Sequence, residues 1–347
     1  MKTLKIGKHA IGKGVFIIAE AGVNHNGRLD LALKLVDAAA ECGADAIKFQ
    51  TFRAPELVTS AGKMAAYQKR NTGKNESQLS MLRKLELRES LYAPIIARCK
   101  KRNILFLSAA HGGFASVDLL AALGVPAFKF SSADLTNLPV LSHAARYKKP
   151  MIISTGMATM QEIEEAVRAI KKEGNDKIII LQCTTDYPTD PKEVNLRAMQ
   201  TIARRLGTHV GFSDHTSGMQ AAIMAATLGA CVIEKHLTLD KHMQGPDHAA
   251  SENPREFRKF VDAIRLVEPL LGSRTKKPTV SEKKYIPLVR KSIVANCSIK
   301  KGELFTRDSI AIKRPGTGLH PRFFSRFLGK KAKRNIEKDA PLLRSDI

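Results

Sequence analysis

Residues 211–251 contain GFSDHTSG (211–218), MQAAIMAATLG (219–229), ACVIEKHLTLD (230–240) and GPDHAAS (245–251). His209–Phe212 reads as a short apolar strand, Met219–Leu228 as a helix closed by Gly229 at its C-cap, and Cys231–Glu234 as a second buried strand. A strand, helix and strand this close together are expected to form a parallel, right-handed crossover. His215 and His236 then fall at the carboxyl ends of two adjacent strands, the edge at which parallel α/β proteins carry out chemistry. Two neutral imidazoles there, with Ser213, Asp214, Glu234 and Asp247 nearby, have the donor chemistry to hold and orient a divalent metal. Either histidine alone would ordinarily be a hydrogen-bonded loop residue, and it is their repeated placement at consecutive strand ends that points to a metal.

Working outward, the apolar runs at Val15–Ala19, Ala46–Phe49, Leu105–Leu107, Ala127–Phe130, Met151–Ser154 and Ile178–Gln182 bring the expected strands to eight. Helical patterns lie between and after them, at Leu31–Glu41, Leu91–Lys101, Ser116–Leu123, Leu138–Tyr147, Met160–Lys172, Leu196–Leu206 and Arg255–Leu271. Strict alternation of this kind predicts a closed (β/α)8 barrel of the α/β class. An irregular polar insertion at Arg53–Glu86 reads as a lid over the barrel mouth. The barrel is assigned to residues 1–271, a Pro- and Lys-bearing linker to 272–289, and a small module to 290–347, too short for a comfortable core of its own.

The chain has 347 residues, is 44% hydrophobic and carries a net charge of +24, and its mean hydropathy is −0.18. From Gly272 onward there are 20 Lys+Arg against 6 Asp+Glu, so this segment holds +14 of the total. Such a field attracts nucleic acid, anionic membrane or anionic substrates, and is equally an ordinary solvated basic surface. Neither an RNP motif nor a helix-turn-helix signature accompanies it, so no nucleic-acid partner is expected. No apolar run has the length of a membrane span, and the N-terminus does not read as a signal peptide, so a membrane role is not expected either. Five cysteines without CxxC spacing argue against a disulfide framework and for a reducing, cytoplasmic location.

Polar residues at strand ends define the candidate site. Glu20 closes the first strand. Lys48 and Gln50 share one face of the second while Ile47 and Phe49 take the other, and Lys129 repeats the pattern between Phe128 and Phe130. A lysine in an apolar strand needs an anionic partner, so the two lysines point to a bound anion. Ser131-Ser132, Ser154-Thr155-Gly156, Thr184-Thr185 and Ser213 supply hydroxyls for the same cradle, although each alone is an ordinary N-cap. No GxGxxG or P-loop motif is present, which disfavours a dinucleotide or nucleoside triphosphate.

The segments FIIAEAGVNHNG (16–27), ADAIKFQTF (44–52), NESQLSML (75–82), FKFSSADLTN (128–137), ISTGMAT (153–159), LQCTTDYPT (181–189) and the opening stretch together resemble the sialic acid (nonulosonic acid) synthases. RKSIVANCSIKKGEL (290–304) and KRPGTG (313–318) resemble the antifreeze-like (SAF, β-clip-type) C-terminal domain of the same enzymes. The resemblance implies a condensation in which C3 of phosphoenolpyruvate attacks the aldehyde of an open-chain N-acylated amino sugar, water adds at C2 and phosphate leaves. It implies a divalent metal (Mn2+, Co2+ or Mg2+) held by His215 and His236. Lys48, Lys129, Ser132, Ser154 and Ser213 would bind phosphoenolpyruvate, and Glu20 would manage the proton of the attacking water. Gln50, Asp134, Tyr187, Asp247 and Arg314 would contact the sugar, as would one of Asn71 and Asn75. Arg314 would reach the barrel of a partner subunit in a domain-swapped homodimer.

The sequence departs from that pattern in places. Ser108-Ala109-Ala110-His111 stands where many relatives have Thr-Pro, so a hydroxyl contact to phosphoenolpyruvate is missing or replaced, and Asp134 stands where many have Glu. The expected activity is N-acetylneuraminate synthesis from N-acetylmannosamine. The alternative is synthesis of legionaminic acid or a related bacterial sugar acid from a 2,4-diacetamido-6-deoxy hexose. The shorter Asp134 and the alanine pair predict extra room at the sugar-facing wall.

Overall fold

The computed structural model describes residues 4–73 and 76–347. Strands β3 (Phe16–Gly22), β4 (Ala46–Thr51), β5 (Leu105–Ala110), β6 (Phe128–Phe130), β7 (Met151–Ser154), β8 (Ile178–Cys183), β9 (His209–Asp214) and β10 (Val232–His236) follow an antiparallel hairpin of β1 (Leu4–Ile6) and β2 (His9–Ile11). Strands β3 to β10 pair in parallel and in order, and β10 closes on β3, giving the expected (β/α)8 barrel. Helices Leu29–Glu41, Tyr92–Lys101, Gly113–Ala122, Leu138–Arg146, Met160–Lys172, Arg197–Leu206, Gln220–Thr227 and Pro254–Leu271 follow the eight strands in turn.

Strand alternation sorts the chain into two apolar layers. Ile17, Ala19, Ile47, Phe49, Phe128 and Phe130 point outward into one cluster with the helices. Phe16, Ile18, Ala46, Leu107, Ala127, Ile152, Ile179, Leu181 and Val232 point inward and fill the amino-terminal half of the barrel. Leu4, Ile6 and Ile11 of the hairpin join that inner cluster, so the hairpin closes the barrel floor. The same parity, continued toward the carboxyl ends, turns Glu20, Lys48, Lys129, Ser154, Ser213 and Glu234 to the inside. Several strands run past the apolar segments expected from sequence because these inward polar residues belong to them.

The insertion after β4 holds three short helices, Ala54–Leu57, Ala66–Thr72 and Gln78–Arg83, rather than irregular chain alone. Met64, Met81 and Leu85 pack with Val23 and Phe52 and fix it to the barrel rim. Asn75 lies outside the described residues.

The chain divides into two compact units, Met1–Gly272 and Ser273–Ile347. The second begins with one-turn helices at Val280–Lys283 and Ile286–Val289 where only a linker was expected. It continues into an antiparallel pair, β11 (Ser292–Ala295) with β12 (Ile310–Lys313). Ile293, Ile299, Phe305, Ile310, Phe327, Ile336 and Leu342 form its core, so this unit has an apolar cluster of its own. No helix among the described residues is long and apolar enough to cross a membrane. All five cysteines are free.

Candidate active site

The inward polar residues line a cavity of about 400 Å3 at the carboxyl end of the barrel. A larger depression at the opposite end, lined by Ile11, Gly12 and Arg204, contains none of the expected site residues.

At the bottom of the cavity two lysines and two carboxylates alternate. Lys48 Nζ is 2.7 Å from Glu20 Oε2 and 3.7 Å from Glu234 Oε2, while Lys129 Nζ is 3.5 Å from Glu234 Oε1. Lys129 also donates to Ser154 Oγ at 2.8 Å and to the Phe130 carbonyl at 3.0 Å. Ser213 Oγ donates to Glu234 Oε1 at 3.0 Å, and Gln50 Nε2 to Glu20 Oε1 at 3.1 Å. Register explains the assembly: Glu20 sits opposite both Lys48 and His236, and Ser213 opposite Glu234. A bulge between Glu20 and Gly22 aims the carboxylate, and Gly22 has φ 51 with its α-carbon so close that a Cβ would sit 3.2 Å from Glu20 Oε1.

Burial sets the protonation of this layer unevenly. It pushes the Glu20 carboxyl up, an effect that Lys48 only partly offsets. It also acts against ionised Glu234, but Lys129 and Lys48 outweigh it and hold that carboxyl down at about 2. It drags Lys129 below the ordinary lysine range despite Glu234, whereas Lys48, flanked by Glu20 and Glu234, stays above that range against its own burial. Glu234 is thus the fixed anion and Glu20 the carboxylate that more readily takes a proton.

His215 and His236 stand above this layer with ring centroids 5.7 Å apart. Tyr187 packs on both, at 4.1 Å from His215 and 5.7 Å from His236. His215 Nδ1 donates to the Thr184 carbonyl at 2.7 Å, and its Nε2 lies 3.5 Å from Ser213 Oγ. His236 Nδ1 is buried without a hydrogen bond and lies 4.0 Å from Asp247 Oδ2. Burial, then His215 and Lys48, keep the His236 ring neutral well below the ordinary range. Burial and then Glu20 push the Asp247 carboxyl up to about 6. His236 is neutral with an orphaned nitrogen, and His215, which Cys183 holds above the ordinary range against its own burial, would shed a proton on taking a borderline divalent cation. Among the described residues no third His, Cys, Asp or Glu joins them, so water or substrate would complete the coordination.

The other expected residues divide. Ser132 lines the cavity and accepts from the Gly156 amide at 2.9 Å. Asp134 does not line it: its carboxylate is taken by Ser131 Oγ at 2.6 Å and His111 Nδ1 at 3.2 Å, and His111 faces the cavity instead. Asn71 Nδ2 is bound to the Pro246 carbonyl at 2.7 Å and ties the lid to the 245–251 loop. Arg314, exposed just after β12, lies in the second unit. Ser108 faces outward and bonds Thr51 Oγ1 at 2.7 Å, so the segment after β5 brings no strand hydroxyl into the cavity. Sequence reasoning gave no role to Cys183 or His111, and read Glu234 only as an acceptor near the two histidines. Extending the expected strand Ile178–Gln182 by one residue would have added Cys183 to β8, and period-two parity within Cys231–Glu234 already turns Glu234 inside with Val232.

The NHNG and GPDHAAS turns brace this edge. His25 is fully buried and accepts from the Gly27 amide at 3.0 Å, and His248 Nδ1 is 2.6 Å from Thr238 Oγ1. Burial lowers both rings to about 4. Unfolded histidine binds its proton near pH 6.5, so this stability is full above pH 6.5 and is lost as pH falls toward 4. On the order of 3 kcal/mol is expected from His25 alone, and the slope of urea midpoint against pH in that window should flatten in His25→Asn. An unchanged slope would assign the acid sensitivity to other groups.

The chain thus combines a closed (β/α)8 barrel, whose mouth holds paired lysines and carboxylates beneath two strand-end histidines, with a small β unit. The NeuB family model matches residues 35–276 and the SAF domain model residues 290–347, and the chain belongs to the NeuB family. It is 47% identical over 329 residues to the N,N'-diacetyllegionaminic acid synthase of Campylobacter jejuni, covering 94% of this chain and 98% of that one. It is 35% identical to the N-acetylneuraminate-9-phosphate synthase of Homo sapiens, covering 94% and 91%. The crystal structure of the spore coat polysaccharide biosynthesis protein SpsE of Bacillus subtilis aligns over 99% of both chains with a TM-score of 0.67 and 37% identity.

Proposed function

We propose that this enzyme condenses phosphoenolpyruvate with an N-acylated amino sugar, and that the acceptor is a 2,4-diacetamido-6-deoxy hexose, giving a legionaminic-type acid and phosphate. The observation that carries the reaction is the buried Lys48–Glu20–Glu234–Lys129 layer beneath His215 and His236 in one cavity. Greater identity to the legionaminic acid synthase than to the N-acetylneuraminate-9-phosphate synthase supports this acceptor over N-acetylmannosamine, which the sequence reading had favoured.

In this reading the phosphate and carboxylate of phosphoenolpyruvate compete with Glu20 and Glu234 for Lys48 and Lys129, and Ser132, Ser154 and Ser213 donate to the same oxygens. Glu20, already displaced toward its protonated form, hands a proton to or takes one from the water that adds at C2. A divalent cation held by His215 and His236 would polarise the sugar aldehyde as a Lewis acid. Tyr187 and Gln50 border the space left for the sugar chain. Phosphate release from phosphoenolpyruvate across a panel of amino sugars tests the assignment, and a clear preference for plain N-acetylmannosamine would reverse the choice of acceptor.

The family resemblance supports a further reading, in which Arg314 serves the site of a partner subunit in a homodimer. Arg314→Ala and His236→Ala, each inactive, should then regenerate part of the wild-type turnover when mixed, because a hybrid dimer contains one intact site. Hybrid dimers that form and stay inactive would place Arg314 in its own chain's site or outside any site.

A further inference from the structure

We propose that His111 reads the acceptor sugar through its Nε2 atom, held for that purpose by Asp134 and Ser131; this rests on the synthase reading above. The backbone of His111 is fixed by its amide, which donates to the Thr51 carbonyl at 3.0 Å. Its Nδ1 is 3.2 Å from Asp134 Oδ2, and Ser131 Oγ donates to that same oxygen at 2.6 Å. Asp134 is held by a turn whose amide donates to the Ser131 carbonyl at 3.1 Å.

The network assigns the tautomer. Burial works against the Asp134 carboxylate, but His111 and Ser131 outweigh it and keep it below the usual carboxylate range. Ser131 Oγ spends its one proton on Asp134 and an ionised carboxylate only accepts, so neither neighbour of Nδ1, at 3.4 Å and 3.2 Å, can donate to it and the ring proton belongs on Nδ1. In the neutral ring Nε2 is then a lone pair. Among the described residues it has no hydrogen bond, and it is not one of the enclosed, unpartnered atoms, so it opens on the cavity that His111 lines. An acceptor aimed at the substrate space selects a donor, which an amino sugar offers as an acetamido N–H or a hydroxyl. His111 thereby takes the sugar-facing position expected of Asp134, and Asp134 acts as a positioning residue behind it. A mere staple between β5 and β6 would need Nδ1 alone and would leave nothing for Nε2 to do.

The test is steady-state phosphate release with both substrates varied and melting temperature recorded. His111→Leu should raise the KM for the diacetamido hexose about 10- to 100-fold, the loss of one buried hydrogen bond to substrate, while KM for phosphoenolpyruvate stays within about twofold. His111→Gln, whose amide oxygen falls near Nε2, should recover most of that loss. Asp134→Asn places an N–H against Nδ1, forces the proton to Nε2 and should raise the sugar KM although shape is kept. Variants whose sugar KM is unchanged, or whose two KM values and melting temperature move together, would overturn the role of His111 while leaving the reaction intact. Wild-type protein that releases no phosphate with any amino sugar would overturn the reaction and this role with it.

Discussion

His236→Ala is expected to lose turnover by about a thousandfold, the order of effect that follows loss of one electrostatic stabiliser at a reacting group. The ring sits at the last position of β10 with a neutral imidazole, an orphaned Nδ1 and His215 5.7 Å away. Exhaustive chelation of the wild type should produce a loss of the same size, reversed by Mn2+, Co2+ or Mg2+, since two imidazoles and open positions do not select one of them. His215→Ala should match it. Because both side chains face the cavity, the variants should melt within a few degrees of the wild type. Full turnover of wild type in chelator would remove the metal from the reaction.

Glu234→Gln is expected to destabilise the barrel by about 3–5 kcal/mol, the usual consequence of removing one member of a buried ion cluster. Two ammonium groups would then share Glu20 alone at the bottom of the cavity, and Lys129, already depressed by burial, would give up its proton first. The variant carries a second signature. With one fixed negative charge gone from between two lysines, it should bind inorganic phosphate more tightly than the wild type by calorimetry at low salt, while turning over more slowly. Lys129→Met should do the reverse and bind phosphate weakly. Weaker phosphate binding in Glu234→Gln would show that Glu234 contributes to the anion site through geometry and not charge.

The barrel was legible because its strands are apolar on both faces for most of their length and each is followed by a helical repeat. What was lost lies where physics departs from that pattern. The hairpin of β1 and β2 is three residues per strand with Lys5 and His9 interspersed, too short and mixed for any periodicity. Its burial comes from tertiary contact with the inner cluster alone. The strand ends were cut short for the opposite reason: inward polar residues such as Glu20 and Ser213 end an apolar run without ending a strand. In the site, strand parity revealed the lysines, but a side chain's partner across the barrel is set by register. That is why Glu234 was read as one acceptor among several, and why the contacts of Asp134 with His111 and Ser131 were not foreseen.

The inward apolar layer of the strands, with Leu4, Ile6 and Ile11 beneath it, plugs the amino-terminal end, so among the described residues the cavity opens only at the carboxyl edge. Whatever occupies the lysine layer must arrive before anything settles beside Tyr187 and His236, and cannot depart until that later arrival has gone. Traffic is therefore last in, first out. A sugar that wedges in the doorway ahead of the anion blocks the queue, so high acceptor concentrations should slow the enzyme when the anionic substrate is scarce, a traffic jam imposed by the apolar plug at the other end of the barrel.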